Sequence, residues 1–448
     1  MESIWVTETG IRKREPLPGD LETEVVVIGA GMAGILTAYH LQQAGLRTVV
    51  LEADRIGSGQ TKNTTAKITF QHKLIYNRLI QTLGSRAAFA YASANENAID
   101  AYEKLIREKE IDCDFARCSS YLYSRKDAAP LRREVDAVMG IGIDAVFETD
   151  SELPFPVAGV ARFDRQARFN PLKFLAAISE EVTVYEQTEV LKVEGNRVQT
   201  NKGCVSARHI VFACHYPFIN MPGYYFARMH QERSYVTALE GAGRIEGMYL
   251  GIDKDGLSFR QQGDMLLLGG GSHRTGRNQK GGQYAWLQDR ARELYPESRV
   301  IRQWSAQDCM TLDGIPYIGR FSIRRPNWYV ATGFGKWGMS SSMAAAHILT
   351  ALITEQRSAQ AGVFSPQRGL TGRAVKELGI HSLYTIKGLV KHLLPAGQGR
   401  IVPNCPHMGC RLEWNPEEGT YDCPCHGSRF DESGKLIDGP AQNNCRRR

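Results

Sequence analysis

Apolar residues fall into two rhythms along this chain. In "EVVVIGAGMAGILTAYHLQQAGLRTVVLEAD" an unbroken apolar run reads as a short buried strand, followed by a glycine turn. An amphipathic helix comes next, and then a second strand that ends in an acid. From Leu74 to about Ile111 the spacing predicts helix, with "AFAYASANENAIDAYEKLIREKEI" long and amphipathic. "NPLKFLAAISEEV" predicts another helix. "VTVYEQTEVLKVEGNRVQTNKG" reads as strands that turn at Gly195-Asn196 and Lys202-Gly203. "HIVFACH" is a buried strand. "RSYVTALE", "MYLGID", "GLSFRQQGDMLLLGGG" and "VIRQWSAQD" predict an antiparallel sheet. "NWYVATGFGKWGMSSSMAAAHILTALI" again gives strand, glycine loop and helix. Residues 357–400 read as a linker with some helix, and no internal repeat is visible. The order of elements predicts an α/β chain.

Gly29, Gly31 and Gly34 stand in G-x-G-x-x-G register between the first strand and its helix. Gly29 permits the tight turn, Gly31 lets the backbone approach a pyrophosphate, and Gly34 lets the helix pack on the strand. The pyrophosphate would sit on the helix N-terminus, where free N–H groups favour negative charge. Glu52 ends the second strand, placed to accept from a ribose diol. A glycine-rich turn in an unrelated α/β domain would leave Glu52 without a reason. NAD and FAD enzymes share this fingerprint. The distant second glycine loop favours the longer flavin. The helix beginning near Gly338 could stabilise charge on a reduced flavin ring, and Lys336 could assist or be a plain surface lysine. "LLLGGGSHRTG" does not match the register, so NAD(P)H is not the expected donor.

The tail is dense in soft ligands. Cys405 and His407 form a C-x-H pair, and Cys423 and His426 a C-x-x-H pair. A zinc finger usually keeps its cysteines on one knuckle and its histidines on the other. One cysteine and one histidine per knuckle is the mixture a Rieske [2Fe–2S] centre needs. A structural zinc knuckle is the alternative. Cys410 and Cys425 are left over once four ligands are assigned.

Composition changes little. The chain has 448 residues, 42% hydrophobic and 23% charged, which suits a soluble protein of two or three domains. The net charge of +7 is spread thinly without a basic stripe, so no nucleic acid is expected, and the final "RRR" reads as a solvated tail. The N-terminus has no signal-peptide apolar region, and no apolar run approaches a membrane span. Cys113, Cys118, Cys204 and Cys214 show no framework spacing and read as free thiols of a cytoplasmic protein.

"VVVIGAGMAG", "RIGSGQTKNTTAKITFQH", "VSARHIVFACH", "TLDGIPYIGR" and "ATGFGKWGM" stand in the order seen in the D-amino-acid oxidase and glycine oxidase-like FAD-dependent oxidoreductases. The resemblance covers roughly residues 20–356. The tail, with Trp414-Asn415 and "CPCHGSRF", closely resembles the Rieske signature, and a subgroup of the family carries such a module. The resemblance implies a Rossmann-like FAD-binding domain interleaved with an antiparallel-sheet substrate domain over 1–356. A linker over 357–400 and a small all-β Rieske module over 401–448 would follow. It implies FAD against Gly29, Ala30, Gly31, Met32, Ala33, Gly34, Glu52 and Ala53. The Ser58–Lys67 loop, with Thr61, Thr65, Ala66 and Lys67, would wrap the adenosine diphosphate and ribityl chain. Gly333, Phe334, Gly335, Lys336, Gly338 and Met339 would meet the flavin end. It also implies cluster ligation by Cys405, His407, Cys423 and His426, and a Cys410–Cys425 disulfide. Only "GQGRIVPN" separates "GLVKHLLPA" from Cys405, so the supporting sheet is expected to be abbreviated.

Relatives take a hydride from a carbon beside an amine nitrogen onto flavin N5. Many grip the substrate carboxylate with an arginine three residues before the threonine of T-x-D-G. Here that motif is Thr311-Leu312-Asp313-Gly314, and the third residue before it is Asp308. A carboxylate there repels a carboxylate substrate. It could pair with a cationic amine, with an arginine such as Arg302, or in a purely structural ion pair. Cys309 stands out of register for a covalent flavin anchor, so FAD is expected to be non-covalent. Asp308, Lys336 and His72 are the candidate catalytic residues, His72 reading first as a helix-cap residue. His215 and Arg260 carry no assignment. The expected function is oxidation of a small amine-like or amino-acid-like substrate. Electrons would pass from FAD through a Rieske cluster to a one-electron acceptor. The alternative is a redox-responsive or binding protein, with structural FAD and a metal-holding tail that docks a partner.

Overall fold

A computed structural model describes residues 2–392 and 404–446. Residues 393–403, at the end of the expected linker, and Arg447 and Arg448 of the expected tail lie outside the described residues.

The first strand, Leu21–Ile28, is apolar from Val25 onward, where both its faces are covered. It pairs in parallel with Thr48–Leu51 on one side and Cys204–Phe212 on the other. Arg325–Thr332 extends the parallel core, and Tyr317–Ser322 closes the edge antiparallel. The segments that predicted strand, glycine loop and helix lie in this one sheet, although about three hundred residues separate them. Their helices, Met32–Gln43 and Gly338–Ile353, pack on each other, and Ser85–Glu108 packs on the second. The helical region after Leu74 is two helices, Tyr76–Leu83 and Ser85–Glu108, broken at Gly84 with φ 83°.

The second sheet has nine strands, drawn from segments that interrupt the first. Arg299–Thr311 and Met229–Glu240 pair antiparallel along its far edge, followed by Met265–Arg274, Ser258–Gln262 and Met248–Gly251. The expected antiparallel pattern breaks at one place, where Met248–Gly251 runs parallel to Ala116–Ser124. The interleaving is therefore physical: the chain leaves the nucleotide sheet, builds the second one and returns.

The C-terminal sheet has four strands, each of only two or three residues: Glu413–Asn415, Thr420–Asp422, Arg429–Phe430 and Leu436–Asp438. Its core is little more than Leu412, Phe430, Ala441 and the cysteines. A core that small does not stabilise a free-standing domain. Much of the expected linker is helix: Gly372–His392 lies against the C-terminal module, with Gly388 over the Cys410–Cys425 disulfide.

Gly34 sits where the first helix crosses the first strand, and a Cβ there would stand 1.8 Å from the Gly29 carbonyl oxygen. We expect Gly34→Ala to push the helix off the turn, at about 1–3 kcal/mol or more. A lowered melting temperature and reduced flavin occupancy on purification would show it. A variant with wild-type melting and full flavin would contradict this packing.

Candidate functional site: a flavin cavity walled by a cluster module

One cavity of about 1140 Å³ runs from the first glycine turn to the Gly333–Met339 loop. Gly29 holds φ 105°, and a Cβ there would meet the Ala213 carbonyl oxygen at 2.8 Å. Beyond it the N-terminus of helix Met32–Gln43 opens on the cavity, with the Met32 N–H donating to Thr61 Oγ1 at 3.1 Å. Glu52 accepts from the Ala30 N–H at 2.7 Å and the Asp54 N–H at 2.9 Å. Burial raises its pKa, and the two N–H groups oppose that rise. Ser58, Thr61, Thr65 and Lys67 line the same cavity, as do Ala53, Ala33, Phe334, Gly335, Lys336, Gly338 and Met339. Three expected residues stand behind the wall. Ala30 serves Glu52, Gly34 serves the helix crossing, and Ala66 is buried at φ 54°. The Lys67 ammonium turns to the second sheet, donating to the Tyr249 carbonyl at 3.0 Å and Ser258 Oγ at 2.7 Å. Burial brings it down to about 7.

The second sheet supplies the facing wall. Glu232 and Asp308 stand opposite each other across the antiparallel pair. Lys336 lies 3.7 Å from Glu232 and 4.0 Å from Asp308, and donates to Ser272 Oγ at 2.9 Å. Burial lifts Asp308 to about 6, with Lys336 opposing and Glu232 adding. Burial also acts on Glu232, but the hydrogen bond from His230 and the charge of Lys336 hold it at about 2. Asp308 therefore faces Lys336; Arg302 is exposed farther along the strand, opposite Ala238. His72 is buried behind the lining. Its nitrogens meet the Tyr91 hydroxyl at 2.6 Å and the Thr69 carbonyl at 2.8 Å, and its ring stacks on Trp337. Burial lowers it to about 3, which leaves a neutral packing residue. The helix after it has Ile75 at its N-cap position, and Glu134 accepts from the Tyr76 and Asn77 N–H groups there. Cys309 points to the opposite side of the sheet from Asp308 and does not line the cavity. Arg260 is a buried brace that holds the Thr65 and Phe169 carbonyls.

At the C-terminal module four side chains converge. Cys405 and Cys423 share a hydrogen bond that holds the Cys405 thiol below its ordinary range. The His407 and His426 rings lie 4.9 Å apart, and the Nδ1 atoms of both are buried without a partner. His407 Nε2–H donates to Asn220 Oδ1 at 2.8 Å, which fixes the tautomer and frees Nδ1 as a ligand. Two thiols and two orphaned imidazole nitrogens suit a mixed-ligand [2Fe–2S] cluster. Cys410 and Cys425 form the disulfide beside it, with Cα atoms 6.7 Å apart.

The module is bolted to the second sheet by polar groups. Gln231 Nε2 donates to the His426 and Gly439 carbonyls, each at 2.9 Å. Gln307 Nε2 donates to the Gly427 carbonyl at 3.0 Å. The Arg274 guanidinium donates to the Pro424 and Cys425 carbonyls at 3.1 and 3.0 Å. Glu418 pairs with buried Arg233 and with Arg429. Burial alone would raise Glu418, but the two guanidiniums hold it at about 2. The last strand then enters the flavin cavity: Ile437–Gln442 line it. Asp438 accepts from Gln60 at 3.0 Å, and the Ala441 N–H donates to Ser428 Oγ at 3.0 Å. Sequence reasoning missed this segment and Lys73, and left His215, which also lines the cavity, without an assignment. "DGPA" is visible as a turn, but nothing in it names a partner 378 residues upstream.

Residues 24–352 match the family model described as FAD dependent oxidoreductase, and residues 400–447 the Rieske [2Fe-2S] domain. The chain belongs to that oxidoreductase family and ends in a Rieske domain; its cofactors are FAD and a [2Fe–2S] cluster. It is 34% identical, over 98% of its length and 96% of the relative's, to the "Putative Rieske 2Fe-2S iron-sulfur protein YhfW" of Bacillus subtilis (strain 168). The cytochrome b6-f complex iron-sulfur subunit 2 of Trichormus variabilis is 54% identical over 41 residues, 9% of this chain and 23% of that protein. Among solved structures, L-proline dehydrogenase from P. horikoshii superposes with TM-score 0.67 at 19% identity, covering 79% of this chain and 98% of that one. Glycine oxidase from Geobacillus kaustophilus gives TM-score 0.66 at 19% identity, covering 78% and 99%. These two likenesses establish the fold.

Removing the charge of Glu418 leaves two guanidiniums facing each other without their shared partner. We expect Glu418→Gln to destabilise the docked state by about 3–5 kcal/mol. Thermal melts followed separately at the flavin and cluster bands should both shift down. The group's folded pKa of about 2 lies below the ordinary 4.5. Its contribution is therefore complete above about pH 4.5 and is lost as pH falls towards 2. The variant should lack that part of the acid transition. Unchanged melts and an unchanged acid transition would count against the ion pair as the bolt.

Proposed function

We propose that this FAD-dependent oxidoreductase oxidises a small amine-like substrate at a C–N bond and passes the electrons singly to its own Rieske cluster, which serves an external one-electron acceptor. The observation that carries this reading is the entry of Ile437–Gln442 into the flavin cavity from the sheet that holds the cluster. A bound flavin supplies hydride acceptance and a bound cluster supplies one-electron acceptance. The residues of the chain do the positioning. In this reading Gly29, Gly31, Glu52, Thr61 and the Gly333–Met339 loop hold FAD, and Cys405, His407, Cys423 and His426 hold the cluster. Lys336 and Asp308 stand at the reacting end. The scattered free thiols support a cytoplasmic setting.

The substrate class follows from the wall. Glu232 is ionised at neutral pH, Asp308 titrates near 6, and Lys336 lies between them. Lys73 also lines the cavity, so the two carboxylates face two ammonium groups; the wall gains its pull on a cation as Asp308 ionises, and it offers a substrate carboxylate no arginine fork. As pH rises through about 6, Asp308 ionises, so kcat/KM for a cationic amine should rise there. Asp308→Asn should flatten that limb and lower kcat/KM about tenfold at neutral pH. A variant that keeps the limb would remove Asp308 from the substrate site.

The whole reading is tested by anaerobic screening of small amines for flavin bleaching. The protein used should carry about two irons per chain. His426→Ala should retain FAD and bleaching but lose reduction of a one-electron acceptor. Zinc in place of iron with an inert flavin, or full acceptor reduction in the variant, would refute it.

A further inference from the structure

The helix Gly372–His392 has two unlike faces. Its inner face is fixed. Ala374 and His381 are buried, His381 meets the His230 ring at 4.5 Å, and the Arg411 N–H donates to the Gly388 carbonyl at 3.2 Å. A Cβ on Gly388 would lie 2.6 Å from Cys425 Sγ, so the helix rests directly on the disulfide of the cluster module.

Its outer face is apolar and open. Leu383 is 69% exposed, Ile386 56% and Val390 55%, with Val375 equally bare. At 3.6 residues per turn these four fall on one stripe. Exposed Lys376 and Lys387 run along the border of the stripe, with Arg373 just beyond. The single acid of the helix, Glu377, is half-buried on the other side. A second bare patch adjoins it. Met221 is 67% exposed and Tyr224 51%, both within the turn that begins at Asn220, the partner of His407. The short helix Tyr225–Arg228 that follows packs against Gly372–His392.

We propose that this face, the outer stripe of Gly372–His392 together with Met221 and Tyr224, docks on an anionic lipid surface. An aliphatic stripe bordered by lysines buries its side chains at the acyl boundary, while the ammonium groups reach the headgroups. No helix among the described residues is long and apolar enough to cross a membrane, so the contact is in plane. A two-fold contact with a second copy would bring the same three cations face to face. A protein partner is usually held by aromatic or arginine anchors seated in pockets, whereas the helix stripe itself is aliphatic and Tyr224 is the one aromatic of the proposed face. Docking would bring the His407 side of the cluster to the level of the lipid headgroups, within reach of an acceptor dissolved in the bilayer. This goes beyond the amine-oxidising reading and stands or falls separately from it.

Flotation of the holoprotein with vesicles tests it. Vesicles of about three parts phosphatidylcholine to one part phosphatidylglycerol should carry the protein upward, and pure phosphatidylcholine should not. Binding should weaken as salt is raised. Leu383→Ser/Ile386→Ser should lower partitioning about tenfold, with FAD and iron content unchanged. Lys376→Glu/Lys387→Glu should abolish the preference for anionic lipid, and serves alone if the serine variant does not fold. No flotation with the anionic vesicles would overturn the proposal, and so would flotation that neither variant changes. A wild-type dimer that the serine variant dissociates would assign the face to a second copy and overturn it too.

Discussion

Successive side chains of a strand point to opposite faces, and two adjacent strands of this protein put that alternation between its two cofactors. On Met229–Glu240 and Arg299–Thr311, the side chains of Gln231, Arg233, Ser305 and Gln307 reach into the C-terminal module. Those of Ser234, Ala306 and Asp308 line the flavin cavity, with Glu232 beside them. One layer of backbone therefore separates the module from this wall of the flavin cavity. A register slip of a single residue would exchange the two sets and destroy both sites at once. The antiparallel pairing that fixes this register runs nearly the full length of both strands.

The module depends on that wall because it has little of its own. Its four short strands enclose a handful of apolar side chains. What holds it is a set of buried polar contacts, with Glu418 between Arg233 and Arg429 at the centre. Such contacts fix orientation well, since each group has few alternative partners once it is buried. In return the module closes the flavin cavity with Ile437–Gln442. Tail and flavin domain thus line one cavity together.

Much of this was legible in the residues. The glycine register with Glu52, and the one-cysteine-one-histidine knuckles, are local patterns whose spacing is dictated by a ligand. So they show in sequence. The small support of the cluster loops was equally visible, since only "GQGRIVPN" separates "GLVKHLLPA" from Cys405. The docking was not, because it is built from glutamines, arginines and a glutamate that carry no spacing rule. Gln231 and Gln307 look like ordinary polar positions of an exposed strand until the module covers them. His72 shows the opposite case: a histidine near a flavin loop invites a catalytic role, and its neighbours here are Tyr91, Thr69 and Trp337. Helix Gly372–His392 was readable only as part of a linker, since its packing partner, the disulfide, lies beyond it in the chain.

The central claim is that flavin and cluster exchange electrons within one chain across this wall. Laser-flash reduction of the flavin in the holoprotein tests it most directly. Flavin reoxidation and cluster reduction should proceed together, at a rate independent of protein concentration. Flavin decay that scales with protein concentration, or that leaves the cluster oxidised, would contradict the account.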